Sequence, residues 1–252
     1  MASRDEIVAL LDDLLDAGSF PDLTPNGLQV PGAEEVDVVV TGVSPGLELF
    51  EEAAAGGAQM VLCHHGLLGD FAPDHVTPLM KARLKVLFDH DLSLVSYHLP
   101  LDAHEELGNN ALICERLGFE RAEPFGSYKG RTLGFVGRAA PGVPLATLRA
   151  RCAEVFGREP LAFWHGPDPV RSLGIVSGAA ASSVSEAIAA GLDGFLTGEP
   201  SEHVMLEARE AGVHFVAAGH YDTETFGVRA LGDLLAAELG VEHRFVDIPN
   251  PV

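Results

Sequence analysis

The stretch of the 252-residue chain with the most evident chemistry is Met60-Val61-Leu62-Cys63-His64-His65-Gly66, an apolar run that stops in two imidazoles and a glycine. A short apolar run bounded by glycine reads as a buried strand. In an open α/β sheet, ligands gather beyond the carboxyl ends of such strands. His64 and His65 therefore stand where a strand becomes a loop. Successive side chains on a strand point to opposite faces, so the two neighbours are expected to serve two metal ions lying side by side. A dinuclear site for hard or borderline divalent ions also needs carboxylates, at least one of them bridging. Asp102 follows the apolar run Leu92–Tyr97 and is flanked by His98 and His104. His220 and Glu224 are four apart at a helix start, a spacing that turns both the same way. Taken singly, Asp102 reads as a turn or cap residue and the His220–Glu224 pair as a solvated helical pair. The case for a metal site is that HH, HLPLDAH and GHYDTE each fall where an expected strand ends. His75, His90, His165, His214 and His243 read as surface or hydrogen-bonded residues, and Cys63 as a small interior side chain.

Periodicity supplies the elements that must position these groups. Residues 4–17 carry Ile7, Leu10, Leu11, Leu14 and Leu15 at helical spacing, with Ser3 and Glu6 as a capping box. Residues 21–32, dense in Pro and Gly, read as loop. A strand over Val36–Val43 leads to a helix capped by Ser44 with Pro45 in its first position, then to the His64 strand. A helix over Thr77–Asp89, the strand Leu92–Tyr97 and a helix Glu105–Leu117 closed by Gly118 complete a βαβ succession. Residues 120–130 read as a connector. Strands near Thr132–Arg138, Leu161–Trp164, Leu173–Val176, Gly194–Thr197, His214–Ala217 and His243–Ile248 follow, with helices between them. The order strand, glycine turn, Ala-rich helix, glycine, strand from Val39 to His64 is echoed from Ile175 to Glu199. The expectation is an α/β fold of two related modules with mainly parallel sheets flanked by helices. The first takes residues 1–125 plus 218–252 and the second 126–217, with the dinuclear site in the cleft between strand-end loops.

Composition narrows the classes of function. A net charge of −21, with Lys81, Lys85 and Lys129 the only lysines, repels phosphate backbones and argues against nucleic-acid binding. No run of 18 or more apolar residues occurs, so no membrane span is expected. Three scattered cysteines have neither disulfide nor zinc-knuckle spacing, which suits a reducing cytoplasm.

These motifs resemble the Nif-three-like family of dinuclear-metal proteins, the GTP cyclohydrolase I type 2 homologues. The resemblance runs from Asn26-Gly27-Leu28-Gln29-Val30 to Gly219-His220-Tyr221-Asp222-Thr223-Glu224. It is carried most specifically by His98-Leu99-Pro100-Leu101-Asp102-Ala103-His104 followed by Leu107-Gly108-Asn109-Asn110, with Thr197-Gly198-Glu199 and His203 as a further block. Many relatives have Thr-Asn-Leu-Asp where this chain has Leu-Pro-Leu-Asp, and some carry an inserted domain for which this chain has no room. The resemblance implies a toroidal homohexamer and two divalent ions per chain, zinc, iron, manganese or magnesium. It implies the ligands His64, His65, Asp102, His220 and Glu224, with Glu224 bridging.

Two functions fit. As a metal-dependent hydrolase, the ion pair would activate a water and polarise the bond being broken. His98 or His104 would serve as acid or base, and His98 or Glu199 as a contact for a small-molecule substrate. By the resembling family's name that substrate is GTP or a related heterocycle, opened by hydrolysis. No phosphate-cradling loop of the G-x-x-x-x-G-K-[ST] type is present, which leaves metals, helix N-termini, or arginines such as Arg131 and Arg229 to meet a triphosphate. The alternative is a non-enzymatic metal-binding hexamer for storage, delivery or sensing. A closed coordination shell would favour that reading. A protein-binding scaffold is a third.

Overall fold

The computed structural model describes residues 1–252. Besides a short antiparallel pair, Ala2–Ser3 with Glu35–Val36, its strands in chain order are β1 (Gly27–Val30), β2 (Val38–Gly42), β3 (Met60–Cys63), β4 (Ser93–Ser96), β5 (Glu120–Tyr128), β6 (Arg131–Val143), β7 (Leu161–Trp164), β8 (Val170–Ile175), β9 (Gly194–Thr197), β10 (His214–Ala217) and β11 (Glu242–Phe245). They divide between two compact units, Met1–Leu101 with Gly227–Pro249, and Asp102–Phe226 with Asn250–Val252. From sequence, residues 102–125 and 218–226 were expected with the first module. In the structure they group with the second, because Ile113, Cys114, Leu117 and Phe119 pack into its core beside Leu148, Leu173 and Phe226.

In the first unit the strand order is β11-β2-β3-β4-β1, parallel throughout except for β1, which runs antiparallel to β4. All four residues of β3 are buried, the signature of a strand covered on both faces. Val61 and Cys63 join Val40, Leu94, helix residues Leu49, Phe50 and Ala53, and Leu87 in one core. Each fully buried aliphatic side chain there contributes about 1.5–3 kcal/mol. The opening helix, Arg4–Leu15, buries Ile7, Leu11 and Leu15 and is capped as expected, the Ser3 hydroxyl accepting from the Glu6 amide at 3.0 Å. Two local expectations are corrected. Gly27–Val30 is strand rather than loop, an edge position where flanking Pro25 and Pro31 cost the ladder nothing. The helix after β2 begins at Leu47 with Gly46 as its cap, so Ser44 remains in the loop and its hydroxyl is used elsewhere.

The second unit's order is β5-β6-β8-β9-β10-β7, with β8, β9 and β10 parallel and the remaining pairs antiparallel. Both sheets are thus mixed rather than mainly parallel, the second more so. The stretch 120–130 is not a connector: β5 pairs with β6 through a two-residue turn at Lys129-Gly130, both with positive φ. The breakers Pro124 and Gly126 and the exposed charges that disguised it are tolerated because β5 is an edge strand.

The internal echo extends further than its sequence trace. Three parallel strands with intervening helices and an antiparallel edge strand beside the third occur in both units, as β2-β3-β4 with β1 and as β8-β9-β10 with β7. No helix is long and apolar enough to cross a membrane.

Candidate metal centre

His64 and His65 follow the last residue of β3, Cys63. Because the strand has ended, its alternation alone no longer governs them. Their rings lie with centroids 5.1 Å apart, and the His98 ring lies 5.1 Å from one and 5.7 Å from the other. One ligand nitrogen from each of the three lies within 4.8 Å of the other two.

Each imidazole is held at Nδ1 by a different group. His64 Nδ1 meets the Tyr97 carbonyl at 3.1 Å, which makes that nitrogen the protonated one. His65 Nδ1 meets the Ser44 hydroxyl at 2.9 Å, which is where the displaced cap residue is used. His98 Nδ1 donates to the Asp22 carboxylate at 2.7 Å. Burial alone would raise the Asp22 pKa. The hydrogen bond and charge of His98, with bonds from Asn26 and the Leu99 amide, outweigh it and bring the carboxyl down to about 2.

The segment 22–29, read from sequence as loop, is what fixes this end of the sheet. Asn26 Oδ1 accepts from the His98 amide at 2.9 Å. Gln29 Oε1 accepts from the amides of Leu67 and Leu68 at 2.8 and 3.1 Å, holding the turn after His65. A Cβ on Gly66 would lie 1.8 Å from Thr24 Oγ1, so only glycine lets that turn close on this segment. Cys63 is buried in the core and burial pushes its thiol above the ordinary range, as befits an apolar role.

In the second unit the donors are mainly carboxylates. Asp102 lies in a short helix, Leu99–Ala103, and the expected helix from Glu105 starts only at Asn109. Buried Asp102 Oδ1 accepts from Asn109 Nδ2 and from the Ser177 hydroxyl, each at 2.8 Å. Asn110 ties the same turn down, donating to the Asp102 carbonyl at 3.2 Å and accepting from the Ser177 amide at 2.7 Å.

His220 bridges two carboxylates. Nδ1 meets Glu199 at 2.5 Å and Nε2 meets Glu224 at 3.2 Å. Burial works against its charge, but Glu224 first and Glu199 second raise its pKa to about 9. Gly178, at φ +64°, makes room for Glu224, since a Cβ there would lie 2.5 Å from Oε1.

His104 is engaged at one ring nitrogen. Its Nδ1 accepts from the amides of Glu106 and Leu107 at 3.2 and 3.0 Å, and burial lowers its pKa. His214 and His243 are hydrogen-bonded residues, on Gly166 and Pro167 and on Thr41 and Asp233, while His75, His90, His165 and His203 are exposed. Arg229 stacks over the Phe245 ring, 3.5 Å from its centroid.

Sequence reasoning missed Asp22, Ser44 and Ser177, single polar residues in loops with no spacing to mark them. The echo held a usable signal, however. Ser44 and Ser177 each stand two residues past the first strand of their repeat, and each places its hydroxyl on a site residue. His98 likewise follows the third strand of its repeat as His220 does, with a carboxylate four residues further on in both cases.

His, Asp and Glu clusters of this kind suggest metal binding. The donor sets fit: Nδ1 tethered to a carbonyl, hydroxyl or carboxylate is how metal-ligating histidines are oriented.

Comparison with known proteins agrees in extent and in kind. The family described as Duf34/NIF3 (NGG1p interacting factor 3) matches residues 2–251. The "GTP cyclohydrolase 1 type 2 homolog" of Pseudomonas aeruginosa is 41% identical over 245 residues, covering 97% of each chain. The protein of the same name from Archaeoglobus fulgidus is 40% identical, covering 97% of this chain and 98% of its own. A solved structure of the protein ybgI, described as of unknown function, superposes with a TM-score of 0.93 at 37% identity over 100% of both chains. These matches run the full length with no inserted domain.

Proposed function

We propose, from the premise that this chain belongs to the Duf34/NIF3 family, that it binds two divalent cations through His64, His65, Asp102, His220 and Glu224 and acts as a metal-dependent hydrolase. The observation that carries the reading is the donor chemistry. Imidazoles stand at strand ends with Nδ1 tethered, and the buried Asp102 carboxylate is oriented by Asn109 and Ser177. Mixed nitrogen and oxygen donors suit zinc, iron or manganese, with magnesium the poorest match. When bound, such an ion pair polarises the bond to be broken and makes water a nucleophile near neutral pH.

The chain's own residues do the rest. Glu224 offers a second oxygen for bridging, and Glu199 orients His220 rather than contacting substrate. His98, with its Nδ1–H on Asp22, is the group available to exchange a proton or hold substrate. His104 has its Nδ1 on backbone amides and only Nε2 left to offer. For the substrate we follow the names of the curated relatives: GTP or a related heterocycle, opened by hydrolysis. With Arg229 stacked on Phe245, recognition falls on the heterocycle and the metals more than on a cluster of arginines. We further propose a cytoplasmic homohexamer, to be checked by native mass spectrometry.

The test is metal analysis of the purified protein followed by a screen of purine nucleotides and other small heterocycles with and without added divalent metal. Two ions per chain and metal-dependent turnover are expected. Two ions with no turnover on any heterocycle would replace the hydrolase with the storage, delivery or sensing reading.

A further inference from the structure

We infer that the first unit carries a complete site for one cation of its own: a divalent ion of the zinc class held by His64, His65 and His98, filled independently of Asp102, His220 and Glu224. This goes beyond the two-ion reading, with which it shares only His64 and His65, by making His98 a ligand and by requiring a stable one-ion state.

Three observations carry it. The first is proximity, since the three imidazoles present ligand nitrogens within 4.8 Å of one another inside one unit. The second is orientation. Ser44, Tyr97 and Asp22 engage the three Nδ1 atoms, which leaves Nε2 of each ring as the atom to meet an ion. The anchors are themselves fixed. Tyr97 and Ser44 lie just past sheet strands, and Asp22 accepts from Asn26 Nδ2 at 3.1 Å and from the Leu99 amide at 3.0 Å. The third is the repeat, because His98 occupies in the first unit the place His220 holds in the second. Three neutral imidazoles with a further position left for solvent or substrate is a recurrent zinc arrangement. Donors already oriented bind without the cost of ordering loose side chains.

The experiment uses the full chain carrying His220→Ala and Glu224→Gln, stripped with chelator, reloaded with zinc alone and dialysed, with circular dichroism to confirm folding. Metal content should be one zinc per chain, against two for the wild type, and adding His98→Ala should bring it to none. Asp22→Asn in the same background should weaken zinc binding about 10–100-fold, the usual effect of losing an outer partner. No zinc in the double variant while the wild type holds two would overturn the one-ion site and leave the two-ion reading standing. One zinc that survives His98→Ala would overturn it as well. Two zincs in the double variant would instead overturn the two-ion ligand set. Should the triple variant fail to fold, His98→Gln and the visible bands of the cobalt-loaded double variant decide: unchanged content and bands refute a role for His98.

Discussion

The two units build their ligands from the same frame and fill it with opposite chemistry. In the first, three imidazoles stand beyond β3 and β4, held by a carbonyl, a hydroxyl and one carboxylate. In the second, the equivalent ends carry Glu199, His220 and Glu224, and the one imidazole is clamped between glutamates. The first cage has imidazoles as its only donors. A carboxylate-lined one needs positive charge, and in the metal-free protein a proton on His220 supplies it. On the proposed metal reading, one fold sets cation affinity in two ways, by orienting lone pairs in one half and by concentrating negative charge in the other.

The largest test of this contrast is Glu224→Ala, which removes the proposed bridging carboxylate. Metal content should fall from two ions to at most one, by elemental analysis of folded protein. Two ions retained would break the assignment.

Acidity should separate the halves next. With the His220 pKa at about 9, an ion bound there must expel a proton. Its affinity should therefore fall about tenfold for each pH unit below 9. In metal-free protein the sign is reversed. The raised pKa stabilises the fold fully below the ordinary histidine value of 6.5, and that contribution is lost as pH rises through about 9. Calorimetric titration across pH 6–9 and denaturation of the metal-free chain measure the two effects.

Gly178→Ala should come third. It forces a side chain into left-handed backbone at about 1–2 kcal/mol and drives a Cβ against Glu224. Denaturant midpoints should drop and metal binding through Glu224 should weaken.

The smallest effects form a matched pair. Ser177→Ala removes a donor from buried Asp102, a bond to a charged group worth about 1.5–3 kcal/mol, while Ser44→Ala removes a neutral bond worth about 0.5–1.5 kcal/mol. Stability measurements giving Ser44 the larger loss would contradict the charge contrast.

How much of this was legible beforehand follows from where information is local. β3, β4, β9 and β10 were readable because a strand buried on both faces is an uninterrupted apolar run. β1 and β5 were not, since edge strands tolerate Pro, Gly and charge and so look like loops. His64, His65, Asp102, His220 and Glu224 were legible as candidates from their places at strand ends. His64 and His65 come just after the last strand residue, Cys63, so their placement is set by the turn as well as by the strand. Asp22 escaped notice, and Asn26 was visible only as one end of the resemblance, because their bonds reach His98 more than seventy positions along the chain, and no local pattern encodes such a pairing.

The three cysteines add a practical consequence. Cys63, Cys114 and Cys152 are all buried, with Cys114 raised to about 11 and Cys152 to about 12 by burial. Thiol sulphur therefore offers oxidants no ready foothold. Air sensitivity should follow the ion instead, with ferrous-loaded samples oxidised where zinc-loaded ones, whose ion has no accessible higher valence, are unchanged.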